Sequence, residues 1–531
     1  METHFMIVKP ALRILALLYL SALVSPQAFA QQSDEVPGDI DALFSAMNPP
    51  QAAGAAAPGG VSLSGEHKSV LPVYTKSRRF GYGESAMAPL LHRFGAEASY
   101  ENIKAAVTAD VTQRYNCRDS TAYTELSLGE AYITYHRQSF LVSAGNLVFN
   151  WGSADGVNPT DWINPRDERN PFEAAKLPVC ALAATLYAAD EVSLECVLVP
   201  FKQRNIRSQN ESEMIPDEMF AYAITGYDMA AGSLEYSHNR QITYERANLS
   251  PGSGAAALRA RYFSPAIDTS LSLGYDRDPF FTPDIALVRQ SDASGGGSGY
   301  MVEKISLRRP GIWRGGFDLK AAAGRYTMWS ESALSFGDNF GTFSCEKRTG
   351  EFASTAGIDR SFGPEECCYI NFQYNLRYIP GYDSGFYRDY RGGKPDISRS
   401  GDKKYMSRYY YRALVQNLAN QYSEYLHTAV IHHEWKIIEN RLSLESDLGW
   451  QLPLGYSRNG ARRIGTLISG VHLAFVPGNA LQIKAGINQC LPLKYVSGKE
   501  KLLIDRASEL SGSYEKSYIY LSADYRWEAR L

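Results

Sequence analysis

Beyond residue 30 this chain of 531 residues has no stretch near 18 consecutive apolar residues, which excludes an α-helical membrane span from the remainder. Neither sign of charge dominates. Lys and Arg number 54 against 57 Asp and Glu, a formal net charge of −3, and that balance lacks the basic footprint of a nucleic-acid binder. Cysteine is scarce, and the seven residues Cys117, Cys180, Cys196, Cys345, Cys367, Cys368 and Cys490 form no Cys-x-x-Cys with histidine partners, so no metal centre is read. No Gly-x-Ser-x-Gly, His-Glu-x-x-His or phosphate-binding glycine loop falls where it would be structurally meaningful, so neither catalysis nor a cofactor is expected. The adjacent pair His432 and His433 does not change this, because neighbouring strand residues point to opposite faces and cannot easily share one ion.

What is present begins with a secretory layout: Lys9 and Arg13, an apolar run from Ile14 to Val24, then Ala28-Phe29-Ala30. Residues 1–30 are read as a signal peptide cleaved after Ala30. Residues 31–60 are read as a periplasmic leader and flexible linker, with a short candidate helix from Ile40 to Met47 followed by an Ala/Pro/Gly-rich stretch. At the other end, Ile519, Leu521, Ala523, Tyr525, Trp527, Ala529 and Leu531 alternate with Tyr520, Ser522, Asp524, Arg526, Glu528 and Arg530. A period of two held this long describes a strand with one face in an apolar phase and the other in water, at a length suited to a tilted bilayer crossing. A mean hydropathy of −0.29 agrees with such a barrel, in which only alternate residues face lipid, and 35 tyrosines could supply aromatic girdles at the membrane boundary.

From Val61 onward alternating segments recur, joined by tight turns near 101, 137, 189, 230, 266, 310, 363, 438 and 478 and by long connections near 80, 118, 165, 210, 250, 287, 340, 400, 458 and 502. The clearest hairpins pair 471–475 with 481–487 and 258–262 with 271–275. Ile370 to Tyr378 and Leu442 to Leu452 each make one outward stripe. Residues 61–531 are therefore read as a single all-β, antiparallel transmembrane β-barrel of about 20 strands, with 18 as the fallback, and with both termini in the periplasm. Cys180 and Cys196 flank a turn at Ala188–Asp190 at nearly equal distances, which would let them face each other, although unpaired thiols are the favoured reading.

The most distinctive segment runs from Glu130-Ala131-Tyr132 through Gly145-Asn146 to Trp151-Gly152-Ser153-Ala154-Asp155-Gly156-Val157-Asn158-Pro159-Thr160-Asp161-Trp162-Ile163-Asn164-Pro165-Arg166-Asp167. Over residues 122–202 it resembles bacterial outer-membrane porin and alginate-export-like channel families, and the final strand resembles the C-terminal signal read by the barrel-assembly machinery, with Leu531 where a terminal Phe is usual. The resemblance implies a channel without catalytic residues. Gly, Asn, Asp and Pro at this density tie down a long loop, which, folded inward, would narrow the pore with Asp155, Asp161, Arg166, Asp167 and Arg169; a rigid surface loop is the alternative.

Residues facing away from the apolar stripes are candidates for the lumen: Arg259, Arg261, Lys304, Arg308, Lys320, Arg377, Lys484 and Arg526 against Asp276, Asp318, Glu445, Asp447, Asp524 and Glu528. A water-filled lumen holds such charges without the penalty of a dry core. Tyr525, Trp527 and Leu531 are the candidate membrane-insertion residues. The longest loop, 379–422, carries Tyr405 to Leu414 in a possible helix. The expected function is passive passage of small hydrophilic solutes or a specific nutrient across the outer membrane. The partners are membrane lipid, the barrel-assembly machinery and the solute, with no nucleic acid, and the oligomeric state is open. The alternative is a surface adhesin or antigen that uses the barrel to display its loops.

Overall fold

In a computed structural model of the chain, the residues described are 60–74, 90–116, 121–154, 156–168, 175–206, 241–244, 254–291, 298–337, 350–380, 382, 397–399, 401–419, 423–439, 441–454, 461–478, 480–496, 501–504 and 517–530. The signal, the candidate helix at 40–47 and nearly all of the leader lie outside them, as do Asp155, Arg169, Leu531 and the turn expected near 230.

Eighteen strands form the wall. In chain order they are β1 (Gly60–Tyr74), β2 (Leu90–Tyr100), β3 (Ile103–Asn116), β4 (Thr121–His136), β5 (Phe140–Leu147), β6 (Val179–Ala189), β7 (Val192–Val199), β8 (Ala255–Phe263) and β9 (Ile267–Arg277). They continue with β10 (Gly311–Ala323), β11 (Tyr326–Gly337), β12 (Glu351–Phe362), β13 (Cys368–Tyr378), β14 (Tyr425–Ile438), β15 (Leu442–Leu454), β16 (Ala461–Gly478), β17 (Leu481–Val496) and β18 (Tyr518–Arg530). Each pairs antiparallel with its neighbours, and β1 pairs with β18 from Ser62↔Arg530 to Tyr74↔Tyr518, which closes the barrel. A further short strand, Lys501–Ile504, pairs antiparallel with the end of β17. The count is thus the fallback of 18.

The side chains are arranged inside out relative to a soluble protein. Along β9, Ile267, Leu271 and Leu273 are 42%, 64% and 54% exposed, while Asp268, Ser270, Ser272 and Asp276, on the alternate positions, are buried. Alternation sends one set to the outside of the wall and the other to its interior. The expected stripes behave the same way: Phe372 and Tyr374 on β13, Trp450 on β15, Leu473 and Phe475 on β16, and Ile519, Leu521, Tyr525 and Trp527 on β18 are all exposed outward. Such a wall suits a hydrocarbon surrounding and a polar interior. The first and last strands have their chain-terminal ends on the same rim as the tight turns, and the long connections leave the opposite rim.

Two expectations need correction. The turn near 310 does not exist; β10 and β11 meet instead at Gly324-Arg325, where Gly324 takes φ +63°. The segment before it forms a separate sheet in which Thr282–Ser291 pairs antiparallel, and Gln241–Tyr244 parallel, with Ser298–Arg308. Its apolar face packs Phe281, Ile305 and Leu307 against Met406, Tyr409, Tyr410, Leu414 and Leu418 of helix α1 (Lys403–Ala419), so this alternation reflects a helix and not lipid. Lys304 and Arg308 consequently leave the lumen set. Cys180 and Cys196 do not face each other, in keeping with the favoured reading of unpaired thiols: Cys196 pairs with Ala184 and Cys180 with Asn146, and both thiols are free.

The assignment of faces is testable by charge. Leu271→Arg on the outer face should cost about 2–4 kcal/mol in lipid vesicles, measured by denaturant titration of tryptophan fluorescence, whereas Lys320→Gln on the inner face of β10 should stay within about 1 kcal/mol. Equal costs would contradict the assignment.

Candidate functional site: a loop laid across the lumen

Most of the inner wall is polar, but the inner faces of β6, β7 and β8 carry Val179, Ala181, Ala183, Val197, Val199, Ala255 and Ala257. The connection leaving β5 covers this patch with Phe149, Trp151, Trp162 and Ile163, forming an apolar cluster inside the barrel. Trp151 and Trp162 meet edge to face with centroids 5.6 Å apart, and Trp151 donates from Nε1 to Glu195 on β7 at 3.1 Å. Burying each such side chain is worth about 1.5–3 kcal/mol, enough to hold the segment inward. Small residues make room: a side chain at Gly274 on β9 would collide with the Trp162 ring.

Two asparagines stitch the loop to itself. The Asn158 carboxamide oxygen accepts from Thr160 N and Asp161 N at 3.2 and 3.0 Å while its amide donates to Trp151 O at 2.7 Å. Asn164 accepts from Phe149 N at 2.7 Å and donates to Leu147 O and Leu177 O at 3.0 and 2.8 Å. These bonds replace the ladder that a strand would have supplied.

From there the loop reaches the far wall. Glu331 on β11, fully buried, accepts from Ser153 N, from Ala154 N at 2.5 Å and from Thr160 Oγ1 at 3.0 Å. Gly152, at φ +78°, runs so close to Glu331, Asn158 and Thr160 that a Cβ would strike all three. Gln373 on β13 accepts from Gly156 N at 3.2 Å and donates to Val157 O at 3.1 Å, and Thr355 on β12 donates to the same carbonyl at 2.9 Å. The loop therefore starts at β5 and is fastened six to eight strands further along a ring of eighteen.

Of the sequence-predicted loop residues, Asp161 is buried and takes Arg166 at 2.9 Å and Lys176 at 2.7 Å, and Asp167 lies on the two-residue strand Arg166–Asp167. Next to them, Lys202 lies 2.7 Å from Asp276 and donates to Trp162 O at 2.7 Å, with Arg314 3.2 Å from the same carboxylate. Burial pulls the Lys202 ammonium down to about 8, opposed by Asp276. A cavity of about 370 Å³ opens between the loop and the wall, and Arg166, Lys202, Arg309, Arg314 and Arg377 line it together with Asp161 and Glu351.

The predicted lumen residues form pairs on the inner face: Arg259 3.7 Å from Asp318, Arg261 2.5 Å from Asp268, Lys484 3.0 Å from Glu445, and Arg526 2.8 Å from Asp524 and 3.2 Å from Glu66. Lys320 shares this face on β10, directly opposite Asp268. Sequence reasoning missed Glu331, Thr355 and Gln373. The misplaced turn at 310 hid the inward register of β11, and with it Glu331.

No protein-family model and no curated protein sequence matches the chain. Solved structures to which it is similar include OccK1 (OpdK) of Pseudomonas aeruginosa, with 7% identity over 89% of this chain and 99% of that one and a TM-score of 0.44. OccAB4 of Acinetobacter baumannii is 8% identical over 91% and 100%, at a TM-score of 0.43. The outer membrane channel DcaP of A. baumannii is 11% identical over 88% and 96%, at 0.35. What this chain does has to come from its own residues.

Two outcomes follow. Glu331→Ala strips the acceptor from two backbone N–H groups and a hydroxyl, at about 1–3 kcal/mol each, so trypsin should cut after Arg166 while the barrel stays intact; unchanged protection would mean that Glu331 does not hold the loop. Lys202 loses its proton at about 8 in the folded protein but at 10.5 in an unfolded chain, so between those values the unfolded chain binds more protons and stability rises with pH. Lys202→Met should abolish that rise in thermal unfolding midpoints measured at either end of the window.

Proposed function

We propose that the protein is an outer-membrane channel for passive passage of small hydrophilic solutes, narrowed by the loop that leaves β5. The observation that carries this is a barrel with an apolar exterior and a charged interior, across which Trp151 to Asn164 are fastened to opposite walls. Barrels of about 18 strands leave a lumen wide enough for water, so a segment inside one sets what fits. In this reading the signal at 1–30 directs export, the leader at 31–60 is periplasmic, and the rim of tight turns faces the periplasm too. The barrel-assembly machinery inserts the closed wall into lipid. No step requires chemistry or a cofactor.

The cavity beside the loop presents four arginines and one lysine against two carboxylates, which supports a preference for anionic solutes over cationic ones of the same size. Conductance in planar bilayers tests both parts. The refolded mature protein should give steady, salt-dependent steps, and removal of residues 155–169 should enlarge them. Arg377→Gln should shift the reversal potential in a salt gradient toward cations. A silent bilayer from well-folded barrel would sink the open-channel reading and favour a protein that displays its loops.

A further inference from the structure

The loop contacts described above fall on β5 to β13, and on the arc beyond them three strands bring a second group of titratable side chains to the inner face. Asp447 on β15 stands between two imidazoles: His432 Nδ1 on β14 lies 2.7 Å from Asp447 Oδ1, and His472 Nε2 on β16 lies 3.6 Å from Asp447 Oδ2. His433, one residue on, alternates to the outer face opposite Ser446.

The cluster is built rather than incidental. A Cβ at Gly470 would come within 2.8 Å of His472 Nε2, so only glycine there lets the ring swing toward Asp447. The Tyr520 hydroxyl on β18 lies 2.7 Å from His472 Nδ1 and fixes the ring's orientation. Water reaches the group, since the side chains of Asp447 and His432 are 48% and 35% exposed.

The surrounding charges nearly cancel. Glu445 on β15 pairs with Lys484 on β17, Asp524 pairs with Arg526 on β18, and Glu434 and Lys436 follow His432 at alternate positions on the inner face of β14. Tyr369 of β13 places its ring 6.0 Å from His432. The local balance is therefore set by the cluster itself: one negative charge when both imidazoles are neutral, one positive charge when both are protonated.

We propose that His432, Asp447 and His472 form a solute-contact site on the lumen wall whose sign reverses with imidazole protonation, attracting cations when the rings are neutral and anions when they are charged. The site rests on the channel reading and adds to it a determinant of ion preference away from the loop. Free imidazoles change charge between about pH 5 and 8, and the measurement spans that range.

The test is the reversal potential of the refolded protein in planar bilayers under a potassium chloride gradient, followed from the upper to the lower end of that range. The anion-to-cation permeability ratio should rise several-fold on acidification. In His432→Gln/His472→Gln the ratio should stay flat, and Asp447→Asn should already raise it at the upper end by removing the negative charge that attracts cations. A double variant whose ratio climbs as steeply as that of the unaltered protein would overturn the proposal while leaving the channel intact. Absence of conductance from unaltered protein with a β-sheet circular dichroism spectrum would instead remove the channel reading, and the site with it. The single variant Asp447→Asn guards against misfolding of the double one: no shift in its ratio at the upper end also counts against the site.

Discussion

The pairing of β1 with β18 is the constraint on which the rest of the molecule depends. A strand in hydrocarbon has no water to satisfy its backbone, so every N–H and C=O must find a partner in the wall, and the first strand finds its own in the last. Closure also decides what the side chains can be. Once the ring is complete, alternate residues have no choice but lipid or lumen, and the chain answers with Leu, Phe and Trp on one side and Asp, Ser, Thr and Asn on the other. Until β18 arrives, β1 presents an unpaired edge, a hazard that only completion of the chain removes.

Within that frame the loop solves a packing problem of its own. A polar lumen gives a loop little reason to stay inside, and this chain supplies the reason by making one sector of the inner wall apolar. Alanine and valine on β6, β7 and β8 form a shallow bed for two tryptophans, while Glu331, Thr355 and Gln373 hold the far side with directional bonds. The first anchor supplies most of the burial and the second sets where the crossing ends, because a hydrogen bond tolerates less displacement than an apolar contact.

Much of the architecture was legible in the sequence because a strand's period of two is hard to imitate over a membrane-crossing length. Leu271 and Leu273 or Leu473 and Phe475 could be assigned to the outer face from spacing alone, and the tight turns near 101, 137, 266, 363, 438 and 478 came with them. Ser298–Arg308 shows the limit. Ile305 and Leu307 alternate with Lys304, Ser306 and Arg308 as a barrel strand would, and nothing local tells an apolar face meeting lipid from one meeting helix α1. Cys180 and Cys196 are not opposed for another reason: the turn falls at Asp190-Glu191, ten residues after Cys180 and five before Cys196, so their distances from it are unequal. The density of Gly, Asn, Asp and Pro at 151–167 marked the loop, but its partners lie some two hundred residues away, where only the closed ring brings them together.

Helix α1 and the three-stranded sheet beside it share one small core, built from Phe281, Ile305 and Leu307 on one connection and Met406, Tyr410 and Leu414 on another. Two segments about a hundred residues apart in the chain are thereby soldered into a single unit at the rim of long connections. A nick or an insertion in either would be felt by both, and whatever approaches from that side meets a shaped porch rather than a brush of independent loops.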